Sequence, residues 1–334
     1  MSSTTAPPSF EFVAPQPLRH GHWMTLATTL WPRRFPALPP AEPRLVTVAP
    51  DTQVRLDCHW QPERAAHPTL LLVHGLEGSS ESHYMLGTAE KAWHASFSVV
   101  RLNVRNCGGT ERLTPTLYHS GLSSDLAGVV EHLLATDGLQ ELHLAGFSMG
   151  GNMVLKLAGE WGVNAPRPVR SVAAISPSLD LAACADAMDL PDNLLYQWRF
   201  LSSLKNRLRR KARLFPELYR TDGLWRVGSV REFDDRFTAP HFGFGTAANY
   251  YAQASALRLA GRIALPTLIL AAQDDPFVPI ESFRSPALTG NPNLTLLTPA
   301  HGGHVGFLSS AVAGEDCYWA ENRILEFCRL HSAR

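Results

Sequence analysis

The sequence predicts an α/β fold in which helices flank a mostly parallel central sheet. From about residue 69 onward, short apolar runs typical of strands alternate with amphipathic helical segments, and strands that alternate with helices form parallel sheets. Some runs are apolar throughout, as TLLLV at 69–73 is, which indicates strands buried on both faces. A long stretch, residues 181–260, lacks this alternation and is predicted to be mostly helical.

The first 44 residues are predicted to form an arm that packs on the domain. They are rich in proline and aromatic residues, and they predict at most one short helix, at about 24–30. Residues 45–60 then alternate between apolar and polar types around a turn at Pro50 and Asp51. This pattern predicts a hairpin of two half-buried strands.

The alternation of strands and helices continues in order to the C-terminus. Strands are predicted at 69–75, 97–105, 141–148, 169–177, 263–279 and 293–304, and helices at 82–95, from 123, at 149–161 and at 316–330. The core is therefore predicted to comprise residues 45–180 and 261–334. Residues 181–260 are predicted to be a helical cap inserted into it.

Composition and charge exclude several classes of function. The 30 basic residues balance the 30 acidic ones, so no global field favours nucleic acid or an anionic membrane surface. The five cysteines are scattered and form no C-x-x-C pair, which fits reduced thiols in a cytoplasmic protein. The sequence shows neither a secretory signal nor a membrane span, which fits an intracellular protein. It also shows neither a phosphate-binding loop nor a dinucleotide fingerprint, so we expect no cofactor.

The strongest chemical signal is GFSMG, Gly146 to Gly150, between a predicted strand and a predicted helix. A nucleophile elbow needs this context, because its serine occupies a strained turn that only small flanking residues leave room for. A glycine-rich turn without chemical function is the alternative interpretation. We predict that Ser148 is the nucleophile of a serine hydrolase.

A serine hydroxyl needs a histidine base, and the base needs a carboxylate that orients it. Asp274 and Asp275 stand together after an apolar strand in AAQDDPFVP. We favour Asp275, because its spacing to Val278 lets that valine pack inward, and we keep Asp274 as the alternative. For the base, HGGHVGF offers His301 and His304, and we favour His304 because the glycines before it permit a close approach to the elbow.

Two further features bear on the same chemistry. The H-x-x-H pair in HGGHVGF is accompanied by no third ligand nearby, so no metal is predicted. The HGLEG segment, residues 74–78, follows a strand and suits an oxyanion loop. There the backbone amide of Leu76 would join that of Met149, the residue after the nucleophile.

These segments resemble a known family, the α/β-hydrolase-4 family, which includes YheT-like bacterial hydrolases and eukaryotic abhydrolase-domain and EMB8-like proteins. The resemblance extends from about Gly21, in GHWMT, to the end of the chain. It rests on HGLEGSSESHY, NVRNCGGTERLTPTLYHSGLSSDL, LHLAGFSMGGNMVLK, FTAPHFGFGTAANYYAQAS, DDPFVP and HGGHVGFL. Asn106 and Asn249 depart from the family pattern, which commonly has glycine and an acidic residue at these positions.

The resemblance implies an α/β-hydrolase fold with a helical cap and a carboxylic ester hydrolase activity. It implies a triad of Ser148, Asp275 and His304 that acts on small or lipid-like esters. Two other functions remain open: a binding protein that keeps the fold without turnover, and thioester or amide hydrolysis on the same triad. Acyl length, physiological substrate and oligomeric state do not follow from the sequence.

The cap carries two features whose function the sequence leaves open. Ten of its aromatic residues are candidates for an apolar substrate pocket, and we expect about two-thirds of them to be packed core. They are Phe200, Phe215, Tyr219, Trp225, Phe233, Phe237, Phe242, Phe244, Tyr250 and Tyr251. The basic run at 205–213 fits either a solvated helix face or peripheral contact with anionic lipid headgroups.

Overall fold

A mostly parallel sheet forms the centre of the protein. The computed structural model describes residues 11–310 and 314–333, so parts of the predicted arm (1–10) and core (311–313, 334) lie outside the described residues. Within these ranges the strands are β1 (Glu42–Ala49), β2 (Thr52–His59), β3 (Thr69–Val73), β4 (Ser98–Asn103), β5 (Leu142–Phe147), β6 (Val169–Ile175), β7 (Thr267–Leu270) and β8 (Leu294–Leu297).

The strand order is β1-β2-β4-β3-β5-β6-β7-β8. Strand β2 pairs antiparallel with β1 and with β4, whereas all the other pairs are parallel. The β1–β2 pair is the predicted hairpin. Every residue of β3, β4 and β5 is buried, which explains the nearly continuous apolar run of β3. The polar residues of the other two strands, such as Arg101 and His143, have hydrogen-bond partners in the interior. The predicted α/β architecture is confirmed.

Helices cover both faces of this sheet. They are α1 (Gly21–Leu30), α2 (His83–His94), α3 (Ser123–Asp137), α4 (Met149–Trp161), α5 (Leu181–Met188), α6 (Leu194–Leu214), α7 (Val230–Phe233), α8 (Ala239–His241), α9 (Ala247–Ala254), α10 (Pro286–Thr289) and α11 (Trp319–Leu330). One hydrophobic core joins the sheet to α3 and α4, and a second joins its other face to α2 and α11. None of the described helices is long and apolar enough to cross a bilayer.

The segment predicted to be a cap, residues 181–260, contains α5 to α9 and contributes most of two small hydrophobic clusters, one of which also includes Leu117. Between α7 and α8 the chain forms one π-helical turn, Asp234–Thr238. Of the ten candidate aromatic residues, Phe200, Tyr250 and Tyr251 line the cavity at Ser148 described below, and most of the others pack within the cap.

The basic run at 205–213 does not form one solvated face, because two of its residues are buried. Lys211 is fully buried, and its ammonium donates to the backbone carbonyl of Glu111 at 3.1 Å and also to that of Thr114. Arg207 is buried as well, and it faces the same side of α6. One side of α6 faces the protein interior. On that side the long side chains of Arg207 and Lys211 reach buried hydrogen-bond acceptors.

Candidate active site

Ser148 lies at the sharp turn between β5 and α4. Its backbone has φ 54° and ψ −116°, a conformation that non-glycine residues rarely adopt. A Cβ at Gly146 would lie 2.2 Å from the carbonyl oxygen of Gly150, and one at Gly150 would lie 2.3 Å from that of Val73. The two glycines therefore permit backbone contacts that hold the serine in this strained turn.

The Ser148 hydroxyl begins a hydrogen-bonded chain of three side chains. Its Oγ lies 2.9 Å from Nε2 of His304, and Nδ1 of His304 lies 2.8 Å from Oδ2 of Asp275. The side chain of Asp275 is almost completely buried, and that of His304 is 11 % exposed. The structure thus brings together the three residues that the sequence analysis favoured.

Asp275 is oriented by its own turn. Its Oδ1 accepts the backbone N–H groups of Phe277 and Val278, both at 3.0 Å, which leaves Oδ2 for His304. Val278 is buried, and the ring of Phe277 packs against the imidazole of His304 with centroids 4.3 Å apart. The carboxylate and the aromatic ring together restrict the imidazole to one orientation.

Asp274 and His301, the alternative acid and the alternative base, lie beside the hydrogen-bonded Ser148–His304–Asp275 side chains and contact each other. Oδ2 of Asp274 is 3.3 Å from Nδ1 of His301, and its Oδ1 accepts the backbone N–H of Gly303 at 2.9 Å. The structure records no hydrogen bond from either residue to Ser148. In the part of the chain that the structure describes, no group of three or more His, Cys, Asp or Glu is arranged to hold a metal ion.

The loop that carries His304 is held by α1, a contact that the sequence analysis did not predict. The backbone N–H of His304 donates to the hydroxyl of Thr25 at 2.8 Å, and that hydroxyl donates to the carbonyl of Gly21 at 2.7 Å. A Cβ at Gly21 would lie 1.8 Å from the carbonyl oxygen of Asp274. Gly21 and Thr25 belong to the GHWMT segment of the family resemblance, but nothing in that segment indicates a contact with His304.

The HGLEG loop lies across from the elbow. A Cβ at Gly75 would lie 3.2 Å from Cβ of Ser148, so the loop passes close to the nucleophile. Buried His74 anchors it, since Nδ1 lies 2.7 Å from the carbonyl of Gly75 and Nε2 accepts the backbone N–H of Val104 at 3.1 Å. Burial lowers the pKa of His74 to about 4, so this imidazole is neutral near pH 7.

The backbone amides of Leu76 and Met149 lie at this loop and at the first residue of α4. Among the described residues, the structure records no hydrogen-bond acceptor for either amide, and both residues line the cavity at Ser148. The N-terminus of α4 adds the positive end of a helix dipole at this point. The arrangement suits a developing negative charge on oxygen.

A buried ion pair connects the HGLEG loop to the cap. The carboxylate of Glu77 accepts from Nε of Arg207 at 2.8 Å, from the hydroxyl of Tyr118 at 2.6 Å and from the hydroxyl of Ser203. Burial alone would raise the pKa of Glu77, but the Arg207 guanidinium and these donors hold it below its ordinary value. The residue next to Leu76 is thus fixed by α6.

Arg207 also donates to the backbone carbonyl of Asn106, one of the two departures from the family pattern. Asn106 is buried with φ 68°, a left-handed conformation that glycine adopts freely and asparagine tolerates. Its amide donates to the carbonyl of Thr116 at 2.9 Å. Asparagine therefore fits where the family commonly has glycine.

Two cavities meet at Ser148 and His304. The cap cavity, of about 120 Å³, is lined mostly by apolar side chains, among them Leu181, Ala185, Met188, Leu204, Val230 and Val278. The second cavity, of about 310 Å³, lies toward α1 and has a mixed lining, in which Phe200 and Phe277 contribute apolar surface. We call it the polar cavity because its lining is more polar than that of the cap cavity, with polar groups that include Thr25, Thr29, Ser82, His83, Tyr196 and Arg199.

Comparison with known proteins places the chain in a family. A family profile described as alpha/beta hydrolase fold matches residues 68–311. The YheT protein of Escherichia coli K12 is 33% identical over 321 residues, which cover 95% of this chain and 92% of that protein. The chain belongs to the α/β-hydrolase family.

Other relatives of this hydrolase agree. Mouse Phospholipase ABHD3 is 31% identical over 295 residues, which cover 86% of the hydrolase and 71% of that protein. The solved structure of the Pyrococcus furiosus esterase Pf2001 superposes with a TM-score of 0.58 at 16% identity, covering 88% and 93% of the two chains, which bears on the fold alone. The predicted family and α/β-hydrolase fold are both confirmed.

Proposed function

We propose that this protein is a serine esterase that hydrolyses carboxylic esters through an acyl-enzyme on Ser148. The observation that carries the proposal is the hydrogen-bonded chain from Ser148 Oγ through His304 to Asp275, with contacts of 2.9 and 2.8 Å. In this assignment His304 is the general base and Asp275 holds it in the tautomer that accepts the serine proton. The name of the mammalian relative, a phospholipase, supports an ester as the substrate.

In the first half of the reaction, His304 takes the Ser148 proton while the serine oxygen attacks the ester carbonyl carbon. The backbone amides of Leu76 and Met149 stabilise the tetrahedral oxyanion. In other enzymes, removal of one such donor by mutation raises the activation free energy by about 3–4 kcal/mol. His304 then donates its proton to the alcohol oxygen as the carbon–oxygen bond breaks. The alcohol leaves and Ser148 carries the acyl group.

In the second half, a water molecule gives a proton to His304 and attacks the acyl carbon. The same amides stabilise the second oxyanion, and the bond between the acyl carbon and Ser148 Oγ breaks as His304 returns its proton to the serine. The carboxylic acid leaves. Asp275 stays ionised throughout and stabilises the imidazolium.

The cap cavity is proposed to hold the acyl group. Its lining is mostly apolar, and Ser148, Met149 and His304 form part of its wall. Its volume of about 120 Å³ is below the ~300–1,000 Å³ of pockets for drug-sized ligands. We therefore propose a preference for short acyl chains.

Covalent labelling tests the nucleophile. A fluorophosphonate probe followed by intact mass and peptide mapping is expected to modify wild type once, on Ser148, and to leave Ser148→Ala unmodified. Ser178→Ala is the matched control, because Ser178 lines the same cavity and is expected not to react. Labelling of Ser178 or absence of labelling in folded wild type would contradict the proposed mechanism.

A substrate panel separates the reaction classes that the triad could serve. Butyryl ester, thioester and anilide of similar size are compared by kcat/KM in wild type and Ser148→Ala. We expect the ester to be the best substrate. A preference for the thioester or amide would replace esterase by that class, and labelling without any turnover would favour a binding protein.

A further inference from the structure

Arg199 is the cationic side chain of the polar cavity. It lies on the second turn of α6, is exposed, and lines the cavity together with Ser148 and His304. In residues 11–310 and 314–333 the structure gives Arg199 neither an ion pair nor a hydrogen bond. The neighbouring cations of α6 differ, since Arg207 binds Glu77 and Arg210 binds Glu111.

The other ionisable groups around this cavity do not offset the charge of Arg199. The Glu77 carboxylate is occupied by Arg207, Tyr118 and Ser203. Burial, assisted by the charge of Arg33, lowers the pKa of His83 to about 4, so His83 is neutral near pH 7. Arg199 therefore leaves the cavity with a positive charge and an unused set of N–H donors.

We propose that the polar cavity binds the alcohol part of the substrate and that Arg199 binds an anionic group on it. This inference rests on the proposed esterase function. A guanidinium presents a planar set of donors that matches the oxygens of a carboxylate or a phosphate, and such bonds are stronger than those between neutral groups. The preferred substrate is thus an ester of a short acyl chain with a carboxylate- or phosphate-bearing alcohol.

The chemistry at Ser148 is unchanged by this assignment. The ester bond to the anionic alcohol breaks, the alcohol oxygen takes the proton from His304, and water later replaces Ser148 on the acyl carbon. Arg199 exchanges no proton and forms no covalent bond. It acts on substrate binding, so its effect is expected mainly in KM.

Three butyryl esters test the proposal: 1-butyrylglycerol, 1-butyrylglycerol 3-phosphate and butyryloxyacetate. For wild type we expect kcat/KM to be on the order of tenfold higher for at least one anionic ester than for 1-butyrylglycerol at low salt, and the ratio to fall as salt rises. The two anionic esters distinguish a phosphate site from a carboxylate site. The neutral ester is the internal reference for every variant.

Variants of Arg199 assign the preference to this side chain. In Arg199→Gln the ratio is expected to fall to about one, in Arg199→Lys it is partly kept, and in Arg199→Glu it inverts. Arg209→Gln is the matched control, because Arg209 is an exposed arginine of the same helix whose guanidinium donates to Asn206, and it is expected to keep the wild-type ratio.

Two different failures are distinguishable. If wild type hydrolyses 1-butyrylglycerol without preference for either anionic ester, or if Arg199→Gln keeps the preference, the assignment of Arg199 is overturned and the esterase function stands. If folded wild type hydrolyses none of the three esters and is not labelled by the fluorophosphonate, the proposed function fails, and the inference fails with it.

Discussion

Asp274 and His301 form a contact of their own, with Oδ2 of the aspartate 3.3 Å from Nδ1 of the histidine. It lies next to the contact between Asp275 and His304, at 2.8 Å. The adjacent aspartates thus face different histidines of one loop. Only the second pair continues to Ser148. The same two short segments therefore supply two pairs. Asp275 and His304 are the candidate acid and base, whereas Asp274 and His301 support the loop that carries His304.

This arrangement predicts different effects for two matched substitutions. Asp275→Asn should lower kcat for p-nitrophenyl butyrate by about 10³–10⁴-fold, because an amide favours the wrong imidazole tautomer, as in the serine protease triad. Asp274→Asn should cost less than about tenfold, since the amide oxygen can still accept the N–H of Gly303. The reverse ranking would identify Asp274 as the acid.

Thr25→Val tests the contact between α1 and the His304 loop. Valine has nearly the same shape as threonine but leaves the backbone N–H of His304 without its acceptor. An unpaired N–H group of this kind costs about 1–3 kcal/mol, which either lowers the stability of the protein or displaces the His304 loop. We expect kcat to fall by about tenfold. Thr28→Val is the control, because Thr28 is buried in the same helix but its hydroxyl bonds only to carbonyls of that helix.

Thr25→Ser separates the hydroxyl from the methyl group. It keeps the acceptor and should keep most of the activity. Measurement of kcat alongside urea unfolding shows whether a loss comes from the site or from the fold. If Thr25→Val and Thr28→Val have equal kcat and equal stability, the Thr25 hydroxyl does not position His304.

The elbow and the sheet could be predicted from the sequence because their signals are local. The spacing of glycines around Ser148 reflects backbone contacts within a few residues, and the apolar runs reflect burial of whole strands. By contrast, Thr25 and His304 are 279 positions apart, and nothing local to either residue marks the contact. Asp274 and Asp275 are adjacent in one turn, and they differ in the direction in which their side chains point. The spacing of residues in the sequence says little about that direction.

The basic run of α6 illustrates a second limit. A series of cations on a helix looks like a solvated face, because charged residues are almost never fully buried unless they are paired. Arg207 and Lys211 are four positions apart, so they share one side of α6 and face acceptors in loops far away in the sequence. The partners that make burial possible cannot be recognised before the fold is known.

Glu77→Gln tests whether the ion pair with Arg207 supports the oxyanion loop. Breaking a buried pair leaves an unpaired charge and costs about 3–5 kcal/mol, so we expect a lower urea midpoint and a lower kcat. The double variant Glu77→Gln/Arg207→Met removes both charges and should regain part of the stability. Arg210→Met is the control, because the side chain of Arg210 is exposed where it pairs with Glu111. A Glu77→Gln protein with wild-type kcat would show that Leu76 is positioned without this pair.

Met188→Ala should extend the range of acyl chains. Met188 lines the cap cavity at the end of α5, and its recorded hydrogen bond, to Gln197, uses the backbone carbonyl. Removing the side chain enlarges the space proposed for the acyl group. We expect the optimum of kcat/KM in a p-nitrophenyl ester series to move to longer chains by about two to three carbons, since each buried methylene contributes about 0.8 kcal/mol. An unchanged optimum would place the acyl group elsewhere.

Asp234 gives the cap a pH-dependent contribution to stability. Burial raises the pKa of this carboxyl from 3.8 to about 6, although the hydroxyl of Tyr251 donates to it at 2.8 Å. Between these two pKa values the folded protein keeps a proton that the unfolded chain has lost, so the free energy of unfolding falls as pH rises. Linkage gives a fall of about 3 kcal/mol in all, roughly half of it above pH 5.

Asp234→Asn removes this term, because the amide does not ionise and its oxygen can still accept from Tyr251. The variant should gain on wild type as pH rises from 5 to 7.5, by about 1.5 kcal/mol in urea unfolding. Asp235→Asn is the matched control, because Asp235 is the next residue in the chain but is exposed. Its carboxylate accepts the backbone N–H of Ala247. A constant difference between wild type and Asp234→Asn across this range would mean that the buried carboxyl has the same proton occupancy in the folded and unfolded chains.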